Sequence, residues 1–164
     1  MSSLAIRRVL LAFVGAILGA SASAGDCHDN ISVTRLRPDT AAYTVTSGLD
    51  EAGQFVLRNA GDWAAIWQRI HSRMRPVPPL PEVDFEREMM IVVASGRRRS
   101  GGYTIRIDQV WREGDTTIIV VHEEGPAEGF IVPTSMTSPV DVARLPLALD
   151  PIEFRIESGT RDCR

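Results

Sequence analysis

Residues 84–111 read Asp-Phe-Glu-Arg-Glu-Met-Met-Ile-Val-Val-Ala-Ser-Gly-Arg-Arg-Arg-Ser-Gly-Gly-Tyr-Thr-Ile-Arg-Ile-Asp-Gln-Val-Trp. Met89 to Ala94 is an unbroken apolar run of strand length that stops at Ser95-Gly96. After three arginines and Ser100-Gly101-Gly102, Tyr103 to Asp108 alternates apolar and polar, the period of a half-buried strand. Two strands therefore carry a glycine-rich, strongly basic loop, Gly96 to Gly102, as a rigid scaffold carries a recognition surface. The stretch holds no acid, base and nucleophile spaced for catalysis.

The flanking sequence extends this pattern. Glu113-Gly114-Asp115 is a tight turn between the strand Tyr103 to Arg112 and the strand Thr116 to His122, which predicts a hairpin. Glu123 to Ser135, with Gly125, Pro126, Gly129 and Pro133, reads as a long surface loop. Val140 to Arg144 and Ile152 to Ile156 are closing strands, the second alternating Ile152, Phe154 and Ile156 with Glu153 and Arg155. Upstream, Tyr43 to Thr46 and Gln54 to Arg58 are short β-prone runs.

Between them the period changes. Trp63, Ile66, Trp67, Ile70 and Met74 recur along one face of a helix, with Asn59 placed to cap it, Asp62 in its first turn and Pro76 as its stop. The two tryptophans read as core rather than as a ligand platform, since their large apolar area favours burial. Pro76 to Pro81 is held extended by its prolines and makes a stiff connector. One helix among about seven strands predicts an α+β body, predominantly antiparallel β, either a sandwich or an open barrel, with one packed amphipathic helix.

The N-terminus reads as an export signal. Arg7 and Arg8 precede the apolar run Val9 to Ala20, and Ala22-Ser23-Ala24 is a small-x-small cleavage site before Gly25. The run is shorter than a comfortable membrane span. Asp26 before Cys27 does not fit the small residue that lipid attachment needs. The expectation is a signal peptide over 1–24 and one secreted or periplasmic domain over 25–164, with no stable membrane anchor.

The whole chain has 18 basic and 21 acidic residues for a net charge of −3, and every basic residue is arginine. Loss of Arg7 and Arg8 leaves a more acidic domain without an extended basic face, which argues against nucleic acid. Cys27 and Cys163 stand near its two ends. In an exported chain such a pair is most simply a disulfide, with free thiols and an intermolecular bridge as the other two readings.

None of His28, His71 and His122 lies in Gly-x-Ser-x-Gly, His-Glu-x-x-His or another mechanical motif. Cys27-His28-Asp29 and His122-Glu123-Glu124 set ligand types side by side, but neighbours on an extended chain face opposite ways. No catalytic residue, metal or cofactor is expected. The adjacent arginines Arg97, Arg98 and Arg99 repel one another and are best tolerated in water. One reading is a solvated hairpin tip or a charge-guarded edge. The other is a contact site for a carboxylate-rich protein surface, since arginine forks grip two oxygens at once. In that reading Ser100, Gly101 and Gly102 belong to the contact loop, the two glycines letting the backbone approach closely, and Tyr103 is buried beneath as its anchor.

Five pieces in order carry a resemblance: Asp62-Trp63-x-x-Ile66-Trp67, Pro81-x-Val83-Asp84-Phe85, the apolar strand ending at Gly96, Ser100-Gly101-Gly102-Tyr103, and Thr137-Ser138-Pro139-Val140. Over Gln54 to Pro146 the chain resembles the C-terminal domain family of PrcB, a protein that accompanies a secreted subtilisin-like protease complex. The resemblance implies an exported, non-catalytic accessory domain that stabilises or escorts a protease or other envelope protein. The chain departs from that pattern in having no lipoprotein signal, and in holding Arg-Arg-Arg-Ser where a lysine-proline-threonine type run is usual. Two alternatives stay open: a small proteinase inhibitor, and a periplasmic carrier with a small-ligand pocket beside Trp63, Trp67 and Trp111.

Overall fold

The structure, a computed structural model, describes residues 29–36, 46–129, 131–148 and 151–161. The apolar run at its centre forms β4, Glu88–Ser95. Met89 to Ala94 are apolar without a break because both faces of the strand are covered. Met90, Val92 and Ala94 join Leu57, Val140, Val142 and the helix in one core. Met89, Ile91 and Val93 join Ile107, Val110, Ile119 and Val121 in a second core between two sheets. The result is three layers: helix, sheet and sheet.

One sheet is ordered β2 (Thr34–Arg35), β7 (Val140–Pro146), β4 and β3 (Ala52–Leu57). The other is ordered β1 (Asp29–Asn30), β5 (Thr104–Glu113), β6 (Thr116–Pro126) and β8 (Ile152–Arg161). Neighbours are antiparallel throughout, except that β6 and β8 run parallel. Among the described residues this is the β-rich α+β body with one helix, as two stacked open sheets rather than a closed barrel.

The helix α1 spans Ala60–Ile70 and is capped by Asn59, whose side chain accepts from the Asp62 amide. Its apolar stripe buries Trp63 and Trp67 to 1% and 2% exposure, with ring centroids 5.1 Å apart. The indole N–H groups donate to Pro81 O and Pro78 O, each at 3.1 Å. The proline connector thus supplies the acceptors that let two large polar-tipped rings be buried. The helix stops short of Met74. The Gly48 amide donates to Ile70 O at 2.9 Å and His71 forms the C-cap, and Met74 reaches the same core from the turn that follows.

Several connections differ from the expectation. β6 continues to Pro126 and takes the first residues of the expected Glu123 to Ser135 loop, and β8 runs on to Arg161. Tyr43 to Val45 lie outside the described residues, while Thr46 makes a single bridge to Ser138. β4 and β5 belong to different sheets, so the arginine loop is not a hairpin tip but a crossing from layer to layer. Alternation tells which face of a strand is buried and is silent on which strand lies beside it. The Gly114-Asp115 turn does close the expected β5–β6 hairpin, with Gly114 at φ 59.

Residues 1–24, Cys27 and Cys163 lie outside the described residues. The expected disulfide between Cys27 and Cys163 falls outside them too.

Candidate functional site

The site is built where the chain crosses between layers. Gly96 turns it off β4 at φ 72, and a Cβ there would come within 2.6 Å of the Ala52 amide nitrogen. The loop backbone is then stitched on both sides. Arg97 N donates to Asp50 O at 2.9 Å, Arg98 and Thr137 exchange amide bonds at 2.7 and 3.1 Å, and Gly101 N donates to Pro133 O at 2.8 Å. Thr137 Oγ1 also donates to Ser100 O at 2.8 Å. Gly101 is buried and Gly102 lies at φ 86 beside Val132 and Pro126. Such a loop is preformed, as a recognition element needs to be if binding is not to order it anew.

This extended course separates the three arginines. Neighbouring side chains on an extended chain point to opposite sides, so Arg98 turns one way and Arg97 and Arg99 the other. Arg98 turns inward. Its guanidinium pairs with Glu123 of β6 and lies 5.2 Å from the centre of the Tyr103 ring. Tyr103 in turn lies against Gly125, where a Cβ would come within 3.2 Å of the ring. Tyr103 stands just before β5 and is half-buried. The solvated trio is corrected to two: Arg97 and Arg99 are exposed, and Arg98 is one layer of an Arg98–Tyr103–Gly125 stack.

A second cluster fixes the loop from below. Arg73 grips both Asp50 carboxylate oxygens at 2.7 and 2.8 Å and donates to Ser47 O at 2.7 Å. Ser138 Oγ donates to Asp50 at 3.1 Å, and Ser47 Oγ donates to Ser138 O at 2.8 Å. The Arg73 hydrogen bonds hold the Asp50 carboxyl below the ordinary carboxylate range, against the opposing effect of desolvation. The sequence reading does not contain this cluster, because Ser47, Asp50, Arg73 and Ser138 are scattered along the chain. Its signal is Gly48 itself, where a Cβ would sit 2.0 Å from Ser72 Oγ and 2.2 Å from Arg69 O.

Beside the loop, the partner segment exposes two apolar side chains, Ile131 at 99% and Met136 at 57%. Arg97 and Arg99 are exposed as well, and arginine and methionine are residue types that protein interfaces favour. The histidines are occupied elsewhere. His71 is buried with Nδ1 2.9 Å from Trp67 O, and His122 Nε2 stands 3.4 Å from Asp108 and 3.3 Å from Glu157. His28 lies outside the described residues. Among the described residues no group of three or more His, Cys, Asp or Glu is arranged to hold a metal ion. The tryptophans do not share a pocket: Trp63 and Trp67 lie on the helix side, whereas Trp111 is on β5 in the far sheet with Arg155 over it at 5.8 Å.

The family model described as PrcB C-terminal matches residues 89–146, which supports the resemblance to that family over a shorter stretch than Gln54 to Pro146. The matched stretch holds β4, the arginine loop, the β5–β6 hairpin, the Pro133–Ser138 segment stitched to the loop, and β7. No curated protein and no solved structure matches the chain.

Proposed function

We propose, starting from the PrcB C-terminal match of residues 89–146, that the chain is the accessory domain of a protease complex. In this reading it is exported and non-catalytic, and it binds a protein partner that it stabilises or escorts, either a secreted protease or another envelope protein. One observation carries the reading. Internal hydrogen bonds hold the main chain of the 96–102 loop at Arg97 N, Arg98 N and O, Ser100 O and Gly101 N, while Arg97 and Arg99 are exposed, as are Ile131 and Met136 on the segment bonded to the loop. A rigid backbone presenting arginine forks and apolar side chains suits a carboxylate-bearing protein surface.

The test is capture from envelope fractions with purified protein and with the Arg97→Ser/Arg99→Ser variant. The variant is expected to capture less partner and to show weaker dependence on salt. Equal capture by both proteins removes this face from the reading. A protease assay on the captured complex separates the roles: binding with cleavage intact supports escort, and loss of cleavage moves the chain to the inhibitor alternative.

A further inference from the structure

We propose that β8 is a self-pairing edge, to which a second copy of this chain adds its own β8 antiparallel across a two-fold axis at Ile156. The strand spans Ile152–Arg161 and pairs with β6 in one unbroken register. It ends its sheet, and among the described residues no strand lies beyond it. Thr117 N donates to Pro151 O, and Thr117 is in register with Ile152. In a parallel pair this turns the main-chain groups of 151, 153, 155 and 157 toward β6. Those of Ile152, Phe154, Ile156, Ser158 and Thr160 consequently face outward. A long open edge without proline or bulge is a template for another strand.

The side chains select the occupant. Ile152 and Phe154 pack on the inter-sheet core, whereas Ile156, next in the same row, is 48% exposed. An axis at Ile156 sets it against its own copy and pairs all five outward residues with one another, 152 with 160 and 154 with 158. On the opposite face, the same axis sets Arg155 against Glu157 of the second copy, and Glu157 against Arg155. Opposite charges in direct cross-strand positions stabilise an antiparallel pair, and like charges destabilise it. Moving the axis to 155 sets Arg155 against Arg155 and Glu153 against Glu157; moving it to 157 sets Glu157 against itself. An axis at 154 or 158 leaves outward residues unpaired. Arg155 already bonds Glu113 and Glu153 at 2.9 Å, and Glu157 faces His122. Both remain open to a second partner, at 42% and 60% exposure.

The experiment is the mass of the purified protein in solution against concentration, with circular dichroism to show that each variant is folded. The wild type is expected to reach the mass of two chains. Arg155→Glu and Glu157→Arg are each expected to fall to one chain, and the double exchange to return to two, because it restores both cross-strand pairs. Ile156→Pro removes an outward N–H and leaves the bonds to β6 in place, so it is expected to fold and stay single. A wild type that stays single at every concentration overturns the proposal. So does a two-chain mass that survives both Glu157→Arg and Ile156→Pro. Failure of the double exchange to restore what both single exchanges lose assigns the edge to a different strand, such as an extended peptide, and overturns self-pairing.

Discussion

Replacing the three loop arginines separately should divide them into two kinds. Arg98 and Glu123 form an ion pair whose side chains are 32% and 21% exposed, and the guanidinium also lies over Tyr103. A hydrogen bond to a charged group contributes about 1.5–3 kcal/mol when partly buried. A half-exposed cation–π contact adds about 0.5–1 kcal/mol. Solvent reaches part of the pair, so the lower ends apply, and Arg98→Ser is expected to cost about 2 kcal/mol. The amide bonds between Arg98 and Thr137 are main-chain and survive the change. With a urea slope of about 2 kcal/mol per molar for a domain of this size, the unfolding midpoint should fall by about 1 M. Arg97→Ser/Arg99→Ser removes only exposed charge and should move stability by less than about 0.5 kcal/mol. Urea titration followed by tryptophan fluorescence reads both. Equal effects of the two variants on stability would refute the division, and so would a destabilised Arg97→Ser/Arg99→Ser protein beside an unaffected Arg98→Ser.

Three further outcomes are expected. Gly48→Ala drives a methyl group into Ser72 Oγ and the Arg69 carbonyl, so it should destabilise by at least about 2 kcal/mol, with thermal melting as the check. Asp141 and Asp50 should act on stability in opposite senses with pH. Burial pushes the Asp141 carboxyl up although it accepts from the Ile107 and Val142 amides, so its contribution is full below the ordinary carboxylate range and fades as pH rises through its raised value. Asp50, held down by Arg73, contributes fully above the ordinary range and loses that contribution as pH falls through its depressed value. Asp141→Asn should therefore flatten the decline of stability with rising pH, and Asp50→Asn the decline at the acid end, both read by denaturation at a series of pH values. Finally, reductant should lower the melting point and add two reactive thiols, those of Cys27 and Cys163. Thiols already free in the oxidised protein would refute the expected bridge.

Much of the fold was legible. Strand period, the Trp63–Ile70 stripe, the Asn59 cap and the Gly114-Asp115 turn are local signals, and each lies where local physics sets it. Pairing was less legible. Nothing in the alternation of Ile152, Phe154 and Ile156 distinguishes an antiparallel neighbour from the parallel β6, and nothing in Gly96–Gly102 shows that the chain changes sheet there. The loop was half legible. Its exposed arginines were found by charge, but three identical residues in a row hide the fact that extended backbone turns the middle one inward. The alternation rule used for the strands, applied to Arg97-Arg98-Arg99, would have separated them. The Asp50–Arg73–Ser138 clasp joins residues scattered along the chain and has no local signature beyond Gly48.

The return of β8 to β6 by way of β7 has a mechanical consequence. The exposed tract Pro133 to Met136 lies between β6 and β7, and each sheet contains strands from both sides of it. A single nick there would divide the polypeptide yet leave β7 zipped to β4 and β8 zipped to β6. For a body proposed to live beside a protease, one careless bite at this exposed tract would release no fragment.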